Sequence, residues 1–274
     1  MKYLTVKGEE LPVIGFGTSQ IQGRECTEMV RTALAVGYRH IDTAQAYGNE
    51  AEVGRGIAQS GVKRDEIFLT TKVWRAALGA RDVKRSTEES LKKLGTDHVD
   101  LLLVHWPNDS IPMGETLGAF AALKAEGKTR HIGVSNYTPR HMKEAIETHR
   151  ADLFCNQVEY HPELGQDTLL AILRRLGMAL VAYSPLGRGR IVKHPVLTRI
   201  GAKYGKSAPQ VALAWLARQD GVVAIPKASS EAHARANLEI FDFTLAPEDV
   251  AEIAKMERNS RVSEPGWGPS WSGG

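Results

Sequence analysis

The sequence predicts an α/β fold: a (β/α)8 TIM barrel with an N-terminal β-hairpin capping the barrel bottom. Three observations carry this. Eight short runs rich in Val, Ile and Leu recur along the chain, and most lack polar–apolar alternation, as strands buried on both faces do. Helical patterns sit between them, several closed by a glycine. The chain has 274 residues, and one such barrel takes ~250. A doubly wound sheet is the rival, but eight units in one chain favour closure.

In order, 3–6 and 11–14 flank Lys7-Gly-Glu-Glu10 and predict the hairpin. Strands are expected over 13–17, 38–42, 67–73, 99–105, 131–135, 153–159, 179–184 and 222–226. Helices are expected over 24–36, closed by Gly37, and 81–94, closed by Gly95. Another begins near Gly114. Thr138-Pro139 reads as an N-cap and first-turn proline, opening a helix to about His149. A further helix spans 167–176, closed by Gly177, and Ser207-Ala-Pro-Gln210 is a capping-box start for 211–218. The whole of 1–274 reads as one domain, with 258–274 as a C-terminal loop over the active site. Two tryptophans in this Gly/Pro-rich tail suggest a segment folded over something apolar; a disordered end is the alternative.

Composition narrows the function. Apolar content is 42% and charged content 24%, with a net charge of +3. That balance argues against a nucleic-acid binder, which would carry a clustered basic stripe, while leaving room for a locally positive pocket. Cys26 and Cys155 have no metal or disulfide spacing. The first ten residues lack an apolar signal core, and no run approaches the ~20 apolar residues of a membrane span, so the cytoplasm is the expected compartment.

Four polar residues stand at or just past strand ends: Asp42, Tyr47, Lys72 and His105. Active sites of (β/α)8 barrels lie at the carboxyl ends of the strands, so these four should converge. A free phenol is a poor acid at neutral pH, and a nearby ammonium lowers its pKa. Lys72 can do this to Tyr47, Asp42 can hold Lys72, and His105 can orient a carbonyl oxygen. Tyr47 then donates a proton as hydride reaches carbon. Singly, each is an ordinary buried pair, core histidine or loop tyrosine; together they point to carbonyl reduction.

The chain resembles the aldo-keto reductases, specifically the short bacterial branch that includes 2,5-diketo-gluconate reductases. The likeness rests on Gly15-Phe-Gly-Thr18, Gly37-Tyr-Arg-His-Ile-Asp-Thr-Ala44, Tyr47-Gly-Asn-Glu50 and Asp100-Leu-Leu-Leu-Val-His-Trp-Pro107. It continues through Ile132-Gly-Val-Ser-Asn-Tyr137, Asn156-Gln-Val-Glu-Tyr-His-Pro162, Ala182-Tyr-Ser-Pro-Leu-Gly187 and Ile225-Pro-Lys227. The resemblance implies that Asp42, Tyr47, Lys72 and His105 are the catalytic set, with Tyr47 as proton donor.

Hydride must come from a cofactor, and the Rossmann GxGxxG pattern is absent. The resemblance implies NADPH, with NADH possible. It implies that Gly17 and Thr18 approach the cofactor, that Ser135, Asn136 and Gln157 bond the carboxamide, and that Tyr183 stacks on the nicotinamide ring. Ser184, Leu186 and Arg188 would follow the pyrophosphate, though a solvated loop is an equal reading of Arg188 from sequence alone. Lys227, Ser229 and Ser230 would meet the 2′-phosphate, and Asn237 the adenine. The family usually places an arginine where this chain has His233. An imidazole cannot make arginine's bidentate phosphate clamp, so weaker discrimination against NADH is expected.

For the substrate, Phe16, Trp74, Trp106 and Trp267 are expected to form an aromatic wall. Short connections predict an open pocket for small aldehydes, ketones, dicarbonyls or keto-sugars. A monomer is expected, with no nucleic-acid or membrane partner. The alternative function is a non-catalytic nicotinamide-binding redox sensor or regulatory subunit. No metal is expected, because the nine histidines lack ligand spacing.

Overall fold

In the computed structural model, which describes residues 2–271, the chain opens with β1 (Tyr3–Val6) and β2 (Glu9–Pro12). They pair antiparallel, with Val6 opposite Glu9. Lys7 and Gly8 form the two-residue turn with φ of 49° and 86°, the positive pair that a type I′ hairpin needs. The second strand is therefore set earlier than the expected 11–14, and residues 13–15 leave the hairpin for the barrel.

Eight parallel strands follow: β3 (Phe16–Gly17), β4 (His40–Asp42), β5 (Phe68–Val73), β6 (Val99–Val104), β7 (Thr129–Ser135), β8 (Cys155–Glu159), β9 (Ala179–Tyr183) and β10 (Val222–Ala224). They lie side by side in chain order. The ring closes between its first and last members. Ile14 bridges Ala224 in parallel, Gly15 N–H donates to the Ala224 carbonyl, and Ala224 N–H donates to Val13, both at 2.9 Å. Residues 13–15 thus bond toward β10, so β3 is shorter than the expected strand. A Cβ at Gly15 would lie 2.5 Å from His40 Nδ1, so this approach requires glycine.

Around the strands lie α1 (Gly23–Ala35), α2 (Glu50–Ala58), α3 (Ala80–Leu94), α4 (Met113–Ala125) and α5 (Pro139–Lys143), which runs into a π turn over Glu144–Thr148. Then come α6 (Asp167–Arg175), α7 (Pro195–Tyr204), α8 (Ala208–Ala217), α9 (Glu231–Leu238) and α10 (Pro247–Ala254). Thr138 and His141 cap α5 reciprocally, and Ser207 and Gln210 do the same for α8, satisfying N–H groups that would otherwise lack partners. The core has two layers. One fills the space between helices and strands. The other lies inside the ring, where Val6 and Leu11 of the hairpin pack with Phe68, Leu101, Phe154 and Val181 and close the bottom. Among the described residues, no helix is long and apolar enough to cross a membrane.

Candidate active site

The strand ends converge as their position in the ring requires. Asp42 ends β4, Lys72 lies near the end of β5, and both side chains are fully buried. Lys72 Nζ donates to Asp42 Oδ1 at 2.5 Å, to the Thr43 carbonyl at 2.8 Å and toward Tyr47 Oη at 3.3 Å. The second Asp42 oxygen accepts from Gln157 Nε2 at 2.8 Å. His105 follows β6, and its ring meets Tyr47 and Trp74 edge-on at 5.6 and 5.3 Å between centroids.

Tyr47 sits on one 3-10 turn, Gln45–Tyr47, and two side chains that sequence reasoning did not assign pin it. Gln45 Oε1 accepts the Trp74 N–H at 3.0 Å, while its Nε2 donates to the Ser86 carbonyl and Ser90 Oγ on α3. Asn49 Nδ2 donates to the Thr18 and Ile21 carbonyls, and its Oδ1 accepts from Thr43. Asn49 lies within the Tyr47-Gly-Asn-Glu50 motif, which was the available signal. Gln45 carried none.

Electrostatics corrects one expectation. Burial pushes the Tyr47 phenol up; the Lys72 ammonium opposes this, as expected, but does not outweigh it. The phenol therefore holds its proton at neutral pH. Burial pulls the Lys72 ammonium down, but Asp42 and then Tyr47 push it up further, so Lys72 stays charged. Burial, and then the Lys72 charge, hold His105 well below the ordinary imidazole range. His105 is neutral, with one ring nitrogen that donates and one that accepts.

A cavity of about 860 Å³ opens above these groups, within the usual range of small-molecule sites. Gly17, Trp74 and Trp106 line it beside Tyr47 and His105. Ser135, Asn136, Gln157 and Tyr183 line its middle, and Ser184, Leu186 and Arg188 continue the wall. Lys227, Ser229, His233 and Asn237 form the far end. Four expected contacts stand elsewhere. Phe16 is fully buried and meets Tyr38 edge-on at 5.7 Å, because the alternation that turns Gly15 and Gly17 inward turns Phe16 outward. Thr18 is fully buried and donates to the Asp42 carbonyl. Ser230 is spent as the N-cap of α9, accepting the His233 N–H. Trp267 lies behind the wall, edge-on to Trp74 and Trp106 at 5.5 and 5.3 Å. Of the expected tail loop 258–274, residues 272–274 lie outside the described residues, as does Met1 of the expected domain.

The cavity fits a dinucleotide. Asn136, Ser184 and Arg188 hold φ of 62°, 47° and 51°, left-handed backbone that costs non-glycine residues and clusters at functional walls. Arg188 and Lys227 line the cavity in no ion pair among the described residues, leaving two cations for an anionic ligand.

A phenol kept protonated beside a buried ammonium, at one end of a cavity with free cations at the other, defines a barrel oxidoreductase. Comparison with known proteins narrows that class: residues 13–258 match the family model of the Aldo/keto reductase family, and the chain belongs to this family. It is 41% identical over 256 residues to a glyoxal reductase of Bacillus subtilis, covering 93% of this chain and 92% of that one. It is 40% identical over 265 residues to methylglyoxal reductase DkgB of Yersinia pestis, covering 95% and 99%. A crystal structure provisionally named 2,5-diketo-D-gluconic acid reductase B superposes with a TM-score of 0.96 at 45% identity, over 100% of this chain and 98% of that one. The protein is thus an oxidoreductase of a family that reduces carbonyl compounds and uses nicotinamide dinucleotides.

Proposed function

We propose that the protein is an NADPH-dependent reductase of small aldehydes, ketones, dicarbonyls or keto-sugars. The observation that carries this is Lys72 Nζ, which bonds Asp42 and Tyr47 at once inside a closed ring of strands. Bound nicotinamide supplies the hydride, which no side chain can. Tyr47 Oη donates the proton to the carbonyl oxygen. Lys72 stabilises the phenolate left behind, and Asp42 compensates the buried ammonium. Neutral His105 donates a ring N–H to the same oxygen and orients it. Ser135, Asn136 and Gln157 hold the carboxamide, Tyr183 presents its ring to the nicotinamide, and Gly17 allows close approach. Ser184, Leu186 and Arg188 border the pyrophosphate. Lys227, Ser229 and His233 take the 2′-phosphate, and Asn237 the adenine. Trp74 and Trp106 border the substrate.

The test is oxidation of NADPH by methylglyoxal, followed by loss of reduced-nicotinamide absorbance, in wild type and Tyr47→Phe. Turnover that collapses in the variant supports the reading. Cofactor binding with no turnover across a carbonyl panel would instead support a redox sensor. At the far end, His233→Arg should raise the NADPH-over-NADH preference about tenfold by adding a charge-assisted phosphate contact. Unchanged selectivity would remove His233 from the phosphate site.

A further inference from the structure

Glu159 ends β8, is fully buried, and takes no part in the chemistry above. Both of its oxygens are occupied by the C-terminal tail. Oε1 accepts the Val262 N–H at 2.7 Å and Oε2 accepts the Ser263 N–H at 2.8 Å. His161 Nε2, also fully buried, lies 3.0 Å from Oε1. A buried carboxylate is costly unless hydrogen-bonded, and here two of its bonds come from a segment more than a hundred residues downstream.

The tail is fastened on both sides of this contact. Before it, Asn259 bridges Leu164, Ser260 N–H donates to the Glu163 carbonyl at 2.9 Å, and Arg258 pairs with Asp167 at 2.8 Å. Ser263, itself part of the contact, also lines the cavity, and after it the half-exposed Trp267 reaches Trp74 and Trp106. The Arg75 guanidinium lies 4.7 Å from the Trp267 ring centroid. The stretch from 263 to 267 therefore runs from the cavity wall to its aromatic edge. Glu159 stands two residues beyond Gln157, so both face the barrel mouth.

We infer that Glu159 is a positioning residue: its carboxylate latches the tail across the cavity and sets where Trp267 backs the tryptophan wall, thereby selecting which carbonyl substituents the site accepts. This rests on the reductase reading of the same cavity. Bulky aromatic aldehydes, which must lie against Trp74 and Trp106, depend on the latch; methylglyoxal does not span it.

Two variants test the latch from opposite sides. Glu159→Gln turns an amide NH2 toward a backbone N–H, and Val262→Pro removes a tail donor while leaving every barrel side chain in place. Two readouts are needed: the rate of tryptic cleavage at Arg258, whose bond to Asn259 is the same in both variants, and KM for benzaldehyde against methylglyoxal with NADPH. Both variants should be cut faster with the barrel left intact. KM for benzaldehyde should rise about tenfold, the loss of one charge-assisted bond, while kcat and KM for methylglyoxal change by less than about twofold. If Glu159→Gln does not fold, Val262→Pro still decides. Unchanged cleavage and unchanged KM in Val262→Pro would overturn the latch. Faster cleavage with an unchanged KM ratio would overturn its role in selection. A tail released on schedule in a protein that reduces no carbonyl would sink the reductase reading and leave the latch standing.

Discussion

Strand β4 carries two buried titratable side chains two residues apart, and they meet opposite fates. His40 and Asp42 face the barrel interior in successive layers, and each reaches β5. His40 Nε2 meets the Thr70 hydroxyl at 3.2 Å, and its ring lies edge-on to Phe68. Burial pushes the His40 imidazole down to about 4, so it is neutral. One layer up, Asp42 meets Lys72, and that ammonium is held up despite complete burial. Burial is equal in the two layers; the partner differs. A hydroxyl and a ring cannot compensate a charge, so the lower layer sheds its proton. A carboxylate can, so the upper layer keeps a charge in a low-dielectric place, where it acts strongly on Tyr47.

The sharpest way to break the upper layer is to remove what its charge serves. Tyr47→Phe should lower kcat/KM for methylglyoxal by roughly 10²–10⁴-fold, the range of a positioned general acid, with NADPH affinity retained by titration. A loss under tenfold would assign the proton to another donor. Asp42→Asn is next. It strands Lys72 in the interior and should cost about 3–5 kcal/mol in denaturant unfolding, whereas breaking an exposed pair such as Lys84–Glu126 should leave the unfolding midpoint nearly unchanged. Equal costs would erase the distinction between buried and exposed pairs.

The lower layer predicts an acid effect. A histidine with a depressed folded pKa contributes fully above its unfolded value of 6.5, and the contribution is lost as pH falls toward about 4. For a group this buried the loss is on the order of 3 kcal/mol. Stability measured at the two ends of that window should differ by this much more in wild type than in His40→Gln. An identical pH slope in both would place the titration elsewhere. The smallest effect sharpens the contrast at the mouth. With His105 neutral and the Tyr47 phenol protonated, kcat/KM for reduction should show no inflection near 6.5 and should decline only at alkaline pH, beyond the ordinary phenol value of 10.0. An inflection near 6.5 that vanishes in His105→Phe would contradict the neutral imidazole.

The layers also show what a sequence can reveal. Strand ends are legible because an apolar run that stops at a polar residue marks both a boundary and a direction, as at Asp42 and at His105, one residue past β6. Side-chain direction within β3 was equally available: Gly15 and Gly17 face the crowded interior, which turns Phe16 outward. Helix α2 has no counterpart among the expected helices; it carries Gly54 and Gly56, and glycine is a poor helix former. A Cβ at Gly54 would stand 2.5 Å from the Leu94 carbonyl, and one at Gly56 2.7 Å from Val30, so these glycines serve helix packing. The net effect on Tyr47 was illegible because it is a difference between burial and a neighbouring charge, and only coordinates give the burial. Gln45 and Glu159 act through backbone partners, and a backbone partner leaves no trace in residue identity.

The seam of the barrel sets an order of events during synthesis. Ile14 bridges Ala224, so the first strand's free edge waits for a partner 210 positions later. At the ordinary pace of translation, that is roughly 10–40 s with a strand edge unpaired. Asp42, Tyr47, Lys72 and His105 are all made less than halfway along, while the cations of the far end and the tail arrive later. A nascent chain therefore carries one end of the cavity long before the segments that wall the other end, and its sheet keeps an open edge until β10 is made.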